Sequence, residues 1–487
     1  MSTDYDESDR LYFEEISDER VMDIVDVEGA KATIVSVGGQ APNNMALKLH
    51  QNGVNILGTH PEMIDRCEDR NKYSSMLDEI GVKQPAWSAL TSMDDAYKFC
   101  DDHGYPVLIR PSYVLSGAAM NVAYDRKELD EFLGEAVDVS PDHPVVMTKF
   151  LHGAIEVDVD GVAENGELKA YAVSEHVEKG GTHSGDATLV LPAHRISDDV
   201  VSYIKSDTAK IAKALEITGP FNTQFLVKDD WIGVIETNLR ASRSVPFVSK
   251  VLDVPFIKMA TKAMLNKAND FKETLPFAKE CDAIDSIEHC GVKSPQFSFK
   301  RLLGADPRLG VEMSSTGEVA CFGKSVSEAW MKSLISAGFK PPRRGDRVLM
   351  TAPSKGDAVN DFVSVAKKMI DLGFEIVAGD DQTSQLLGKR HIKSRPDSIV
   401  ETTKGDLSKA IRHDEVTLVM ELSNEDDRYP VRRGACDFNI SLMTDMEQAK
   451  LLCEALAESP SLDITSHDEY FDEKYHMSDS SYIDASS

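Results

Sequence analysis

Residues 219–243 read GPFNTQFLVKDDWIGVIETNLRASR. The runs 221–227 and 231–237 are β-rich and flank Lys228-Asp229-Asp230, the pattern of a hairpin. This stretch constrains the fold more than any other, because alternation along a strand assigns each side chain to a face. Asn222 and Gln224 share one face, and Glu236 and Asn238 share a face on the returning strand. Closing the turn brings Gln224 beside Glu236. One carboxylate and two amide oxygens then lie at a single mouth, with Arg240 and Arg243 just beyond the strand end. Hard oxygen ligands suit Mg2+, which keeps several waters and binds through few protein groups plus substrate phosphates. Guanidinium groups match phosphate oxygens bidentately. An ordinary half-buried hairpin with a wet polar face has the same pattern, and a short motif alone does not choose between them.

The length, 487 residues, predicts two to four domains and more than one buried core. Hydrophobic content of 41% and charged content of 28% are those of a soluble globular protein. No apolar run approaches the roughly 20 residues of a membrane span. The start, MSTDYDESDRLYFEE, lacks the basic and apolar regions of a signal peptide. Seven scattered cysteines without a CxxC point to reduced thiols in the cytoplasm and away from a zinc site. A net charge of −29 argues against nucleic-acid binding. Any anionic substrate must therefore meet local clusters of Arg and Lys.

In chain order, 32–37 reads as a strand, Gly38-Gly39-Gln40 as a tight turn, 42–51 as a helix and 54–57 as a strand. That is one βαβ unit of a parallel sheet. Residues 65–81 read as helical, and 105–110 as a short strand running into RPSYVLSGAAM. Its Ser116-Gly117-Ala118-Ala119 is small enough to close over phosphate oxygens, or to be a plain surface turn. Strands follow at 145–150 and 154–162. In EVDVDGVA, Glu156, Asp158 and Asp160 face the same way; a solvated acidic face is the plain alternative, and the expectation for Asp160. SEHVEKGGTHSGD interleaves glycines with Thr182, His183 and Ser184. Lys300, Arg301 and Arg308 are basic enough to touch an anion, or simply solvated. Pro341, Pro342 and Gly345 among charged residues mark a linker. Beyond it, strands at 348–351, 374–378 and 416–422 alternate with helices at 357–372 and 444–457. This is a doubly wound pattern, with ligands expected at the strands' C-terminal edge.

ETNLRASRSVPFVSK resembles the metal-binding strand of the ATP-grasp family in the form carried by carbamoyl-phosphate synthetase. That pattern is E-x-N-x-R-x-x-R-[ST]-x-P-F-x-S-K, with a Gln upstream. Gln224, Glu236, Asn238, Arg240, Arg243, Pro246, Phe247, Ser249 and Lys250 all match it. The resemblance covers the chain up to its tail and implies an α/β and α+β multidomain protein. Residues 1–65 would be a partial Rossmann-like pre-ATP-grasp domain, met in its middle as in a piece of a longer polypeptide. Residues 66–275 would be the ATP-grasp fold, 276–345 a connecting segment, and 346–463 a doubly wound methylglyoxal-synthase-like regulatory domain. Residues 464–487 read as an acidic disordered tail.

The same resemblance implies the half of the large chain that phosphorylates carbamate, closest to the multifunctional animal-type enzyme of pyrimidine synthesis. ATP and two Mg2+ (or Mn2+) ions would bind, with K+ near Glu156 and His176. Arg70, Arg110, Lys149, Leu151, Glu156, Gly181, Thr182, His183 and Ser184 would contact ATP. Among these, Lys149 and Leu151 would lie at the adenine edge and Glu156 on the ribose. Gln224 and Glu236 would serve both ATP and metal, with Asn238 a further metal ligand. Arg240 and Arg243 would bind carbamate in the catalytic step. Tyr429-Pro430-Val431-Arg432-Arg433 and Thr444 fit the regulatory domain, but Gly379-Asp380-Asp381-Gln382-Thr383 stands where many members have a phosphate loop. Two carboxylates there would repel a nucleotide phosphate. The implied partners are an N-terminal synthetase half and a glutamine amidotransferase subunit or domain, or a homodimer in place of that half, with no nucleic acid and no membrane. Another ATP-grasp ligase joining a carboxylate to an amine, or a non-catalytic regulatory fragment, are the alternatives.

Overall fold

The computed structural model describes residues 6–90, 92–110, 120–139, 145–265, 287–354, 356, 358–394, 416–423 and 425–471. The expected phosphate-covering loop at 116–119 lies outside the described residues, as does the tail from 472. The chain divides into two compact units. One is Met1–Val173 with Arg195–Cys281, the other Ser174–His194 with Asp282–Ser487.

In the first unit, β1 (Thr33–Ile34) and β2 (Ile56–Leu57) pair in parallel, as a βαβ unit requires. The helix expected between them is broken into Gln40–Asn44 and Ala46–Gln51. The helix expected at 65–81 is likewise two, Pro61–Glu68 and Arg70–Glu79. Asp69 causes the break: its backbone is extended, and its carboxylate accepts from the N–H groups of Asn71 and Lys72 at 3.0 Å each. Such a cap satisfies donors that a helix start leaves open. It also makes Arg70 the first residue of the new helix.

Strands β3 (Trp87–Leu90), β4 (Val107–Arg110), β5 (Asn121–Ala123) and β6 (Val145–Lys149) form an antiparallel sheet in the order β3–β6–β4–β5. Val107, Ile109 and Met147 pack against Phe99 and Leu129 of the flanking helices. Arg110 alternates to the opposite face. After β7 (Ile155–Glu164) the chain turns at Asn165 and Gly166, both with positive φ. It leaves the unit along β8 (Glu167–Lys179), on which it reaches β9 (Leu189–Leu191). It returns through the helix Asp198–Ala214 to β10 (Gly219–Lys228) and β11 (Trp231–Asn238). β10 lies between β7 and β11, antiparallel to both. The turn is tighter than the sequence suggests, since Lys228 pairs with Trp231 and only Asp229 and Asp230 remain outside the ladder. Gly161 pairs with Phe221, and a Cβ there would fall 2.5 Å from the Phe221 ring. Only glycine lets that fully buried ring lie across β7.

In the second unit, β12 (Cys290–Phe297) is antiparallel to β9 and to β13 (Ser315–Gly323). Pairing with β12 is why residues 174–194, expected to belong wholly to the ATP-grasp domain, group with the later chain. Strands β14 (Arg347–Thr351), β15 (Glu375–Ala378), β16 (Leu418–Glu421) and β17 (Ser441–Met443) form a parallel sheet in the order β15–β14–β16–β17. The helices Ala358–Asp371 and Met446–Glu458 match expectation. Asp381–Lys389, Tyr429–Asp437 and β17 were not legible in the sequence. The expected boundary at 345 separates no cores, because Trp330 and Met331 of the helix Val326–Ser336 share one with Val348, Met350 and Phe362. Nor is 340–345 a free linker: Lys340 N–H donates to Ser441 Oγ at 2.8 Å, and that hydroxyl donates to Lys340 O at 3.0 Å. The tail does not begin at 464 as disorder. His467, Tyr470 and Phe471 gather around His289 and Phe322.

Arg432 is fully buried. It holds Asp306 through Nε at 2.7 Å and Nη2 at 2.6 Å, and Glu421 through Nη1 at 2.8 Å. Arg433 donates to the carbonyls of Phe299, Leu302 and Ala305. Both arginines thus serve structure. Glu421 is also fully buried, so removing Arg432 strands a charge without water. Arg432→Ala is expected to destabilise this unit by about 3–5 kcal/mol, measured as a fall in its urea midpoint; an unchanged midpoint refutes it.

Candidate active site

The register of three strands builds one polar face. Asp158 of β7, Gln224 of β10 and Glu236 of β11 lie in one row, and Asp160, Asn222 and Asn238 in the next. Cross-strand partners share a face, so the expected meeting of Gln224 with Glu236 is present. Asn238 Nδ2 donates to Glu236 Oε1 at 3.2 Å. On the reverse face, Thr223 and Thr237 hydroxyls meet at 2.9 Å, and Tyr73 OH reaches Thr237 Oγ1 at 2.6 Å. Cys67 Sγ donates to Thr237 O at 3.1 Å. These contacts fasten the two short helices against β11.

That fastening brings Arg70 to the site. Its Nη2 donates to Glu236 Oε2 at 3.1 Å. Arg110, at the end of β4, is 7% exposed, and its Nε has no hydrogen-bond partner. Burial pushes its guanidinium down to about 9, with the like charge of Arg70 adding and Glu236 and Glu156 opposing. It remains a cation at neutral pH. Arg240 Nη2 donates to Asn238 Oδ1 at 3.3 Å, and its Nε is also without a partner. Burial works to raise Glu236, but Arg70, Arg110 and the Asn238 amide outweigh it and hold the carboxyl at about 2. The group is anionic throughout the physiological range. Glu236, Gln224 and Asn238 thus offer an oxygen-only donor set with a fixed negative charge, which fits Mg2+. Among the described residues, no group of three or more His, Cys, Asp or Glu side chains forms a metal site by itself.

The remaining expected site residues stand on further segments. Arg243 is exposed, just before the helix Val245–Leu252. Glu156 is buried on β7, in register with Leu226. Lys149 follows the alternation of Val145 and Met147, on the sheet face opposite Arg110, and donates to the carbonyls of Gly104 and Tyr105 at 3.1 and 2.8 Å. Leu151 is half-buried in the turn after β6. Gly181, Thr182, His183 and Ser184 belong to the second unit, where His183 N–H donates to Gly310 O at 2.8 Å and His183 Nδ1 accepts from Gly185 N–H at 3.0 Å.

The expectation of a solvated acidic face on β7 is wrong. Asp158 is 3% exposed and Asp160 not at all. The alternation was legible; its burial was not, because that depends on segments distant in sequence, such as the one that brings Ser242 to Asp160. Glu68 also escaped notice. Burial raises its pKa, Arg240 lowers it, and it accepts from Asn43 Nδ2 at 3.0 Å.

Solved structures identify the class of fold. The biotin carboxylase–βγ-ATP complex from Campylobacter jejuni matches with a TM-score of 0.53 and 16% identity, over 66% of this chain and 78% of that one. The biotin carboxylase domain of Hydrogenobacter thermophilus 2-oxoglutarate carboxylase, with MgADP, ADP and bicarbonate, matches with a TM-score of 0.54 and 16% identity, over 66% and 76%. At that identity the likeness concerns the fold alone, the mixed α/β ATP-grasp fold. The family follows from sequence. Residues 69–270 match the family model described as carbamoyl-phosphate synthase L chain, ATP binding domain, and residues 1–66 the carbamoyl phosphate synthase preATP-grasp domain. The chain belongs to the carbamoyl-phosphate synthase large-chain family. It is 46% identical to the multifunctional protein URA2 of Saccharomyces cerevisiae, over 96% of this chain and 21% of that protein. It is 45% identical to the mitochondrial carbamoyl-phosphate synthase [ammonia] of Aquarana catesbeiana, over 96% and 31%. It is 47% identical to the mitochondrial arginine-specific large chain of Schizosaccharomyces pombe, over 94% and 40%. The chain thus spans between about a fifth and two fifths of these relatives.

Burial and the neighbouring charge of Asp158 push Asp160 up to about 6 from 3.8. The folded state therefore binds its proton more tightly than the unfolded chain does. The contribution of this group is favourable below the ordinary carboxylate range and is lost as pH rises to about 6. Asp160→Asn should gain stability relative to the parent by about 2–3 kcal/mol between acid and neutral pH. Thermal unfolding from about pH 4.5 to 7.5 reads most of that change, and a pH-independent difference contradicts it.

Proposed function

We propose that this chain is the carbamate-phosphorylating half of a carbamoyl-phosphate synthetase. It would move the γ-phosphoryl group of ATP to carbamate, giving carbamoyl phosphate and ADP. The observation that carries the reading is the convergence of Arg70 and Arg110 on Glu236, with Arg240 on the adjoining Asn238. In a chain of net charge −29 these groups supply the local positive field a polyphosphate needs.

Phosphoryl transfer asks for positioning and charge neutralisation rather than covalent catalysis. Arg110, buried with an unsatisfied Nε, is set to take phosphate oxygens. Arg70 can exchange Glu236 for phosphate, which frees a carboxylate oxygen. Two Mg2+ (or Mn2+) ions would be held with ATP by Glu236, Gln224 and Asn238, and would supply neutralisation of phosphate charge. The carbamate oxygen attacks phosphorus, the bond to the β-phosphate oxygen breaks, and the electron pair leaves with ADP. Carbamate is already an anion, so no side chain has to remove a proton. Arg240 and Arg243, past the end of β11, would orient it. Lys149, Leu151 and Glu156 are assigned to adenine and ribose. For Gly181, Thr182, His183 and Ser184 on ATP, and for K+ at His176 and Glu156, the reading rests on family resemblance alone.

Residues 346–463 would form the methylglyoxal-synthase-like regulatory domain, a reading supported by their four parallel strands. Asp380 there caps the helix Asp381–Lys389 through Thr383 N–H at 2.6 Å and pairs with Arg428 at 3.0 Å. An anionic effector would have to displace it. The full polypeptide would add the bicarbonate-activating half and a glutamine amidotransferase part, or pair with a second copy. Six cysteines among the described residues are free thiols, which supports a reducing, cytoplasmic setting. No described helix is long and apolar enough to cross a membrane.

The test is ATP formation by the isolated chain from carbamoyl phosphate, ADP and Mg2+. Glu236→Ala should cut that rate by about a thousandfold or more, roughly 4 kcal/mol of transition-state stabilisation. Near-parental turnover by the variant refutes the metal role. Metal-dependent ATP binding without any turnover would favour a non-catalytic fragment.

A further inference from the structure

Asp160 is the least exposed acid on the polar face, yet the reaction as derived does not use it. Its Oδ1 accepts from Asn222 Nδ2 at 3.1 Å and from the Ser242 hydroxyl in a short hydrogen bond. Ser242 Oγ in turn lies 2.9 Å from Ser244 Oγ. Its Oδ2 has no hydrogen-bond partner, and no cation pairs with it among the described residues. A buried carboxylate without a counter-charge is unfavourable and needs a reason to persist.

The reason lies in what Ser242 belongs to. β11 ends at Asn238 and the next helix begins at Val245. The intervening residues carry Arg240 and Arg243 and have no ladder of their own. Ala241 N–H donates to Ser36 O at 2.9 Å on one side. The Ser242–Asp160 bond ties the segment to β7 on the other. Asn222 links that carboxylate to β10, directly across from Asn238. An ionised acceptor makes a shorter and stronger hydrogen bond than a neutral one, so the Ser242 hydroxyl, with that of Ser244 beside it, can hold this short segment in place.

We propose that Asp160 is a positioning residue which, through Ser242, fixes the Arg240–Arg243 segment at the acceptor end of the site. It acts on the phosphoryl acceptor and not on the nucleotide, whose candidate residues Arg70 and Arg110 stand on other elements. The kinetic part of this inference rests on the reaction proposed above; the structural part does not.

Two measurements on the full chain decide it. Ser242→Ala and Asp160→Ala should each raise the KM for carbamoyl phosphate at least tenfold in the ATP-forming direction and leave the KM for ADP within about twofold, a split a general loss of folding would not produce. Asp160→Asn keeps an acceptor oxygen for Ser242 and should recover most of the loss. Hydrogen exchange at residues 239–244 should be faster in both alanine variants by tenfold or more, with the rest of the hairpin unchanged. Equal rises in both KM values, or unchanged exchange over 239–244 in Ser242→Ala, overturn the proposal. If the parent chain forms no ATP, the proposed reaction fails, and hydrogen exchange alone still decides whether Asp160 holds this segment.

Discussion

The Glu236 carboxylate, kept ionised by the guanidinium groups around it, is the interaction on which the rest of the first unit depends. Burial by itself would favour its neutral form. Arg70 and Arg110 reverse that preference, and each is delivered by a different element. Arg70 opens a helix because Asp69 interrupts the one before it, and Arg110 ends β4, an inner strand of the β3–β6–β4–β5 sheet. Their mutual repulsion, visible in the lowered Arg110, is tolerated only while an anion lies between them. Arg70, Arg110 and Arg240 thus stand pre-arranged among carboxylates, with the Nε of Arg110 and that of Arg240 still open. A bound polyphosphate would occupy those donors, and a preorganised field of this kind needs no rearrangement at the moment of reaction.

β10 makes such a cluster possible. It pairs on both sides, so its two faces are equally constrained: Phe221 and Phe225 fill the core while Asn222 and Gln224 form the middle of the polar rows. A slip of one residue would exchange these sets. Gly161 makes the native register possible, because any side chain there would strike the Phe221 ring. Core packing and site geometry are therefore set by the same pairing.

Periodicity made the hairpin legible, and with it the encounter of Gln224 and Glu236. It also revealed that Glu156, Asp158 and Asp160 share a face. What it did not reveal is which faces become covered, since that depends on strands far apart in sequence. Asp160 therefore looked like a solvated acid although β10 and the 239–244 segment enclose it. Arg70 was identified by family likeness, but its placement follows from a helix break at Asp69 that a helical run of residues conceals. Glu68 gave no signal at all. In the second unit, the strand–helix alternation was plain, whereas the shared core across residue 345 was not. A Pro/Gly-rich charged stretch suggests a linker whether or not its backbone is tied down, as Lys340 is by Ser441.

Two of the buried charge clusters among the described residues differ in kind, and the difference bears on function. In the second unit Arg432 meets two carboxylates and a carbonyl, so each of its three nitrogens has a partner and the cluster closes on itself. In the first unit Arg110 and Arg240 each keep an unsatisfied Nε, and Asp160 keeps an unsatisfied Oδ2. A network that only stabilises gains by satisfying all its members. One that must receive a charged ligand cannot be complete beforehand, because the ligand's bonds would then have to be exchanged for existing ones. The open valences of Arg110, Arg240 and Asp160 lie about the polar rows of β7, β10 and β11, where the proposed phosphoryl transfer would take place.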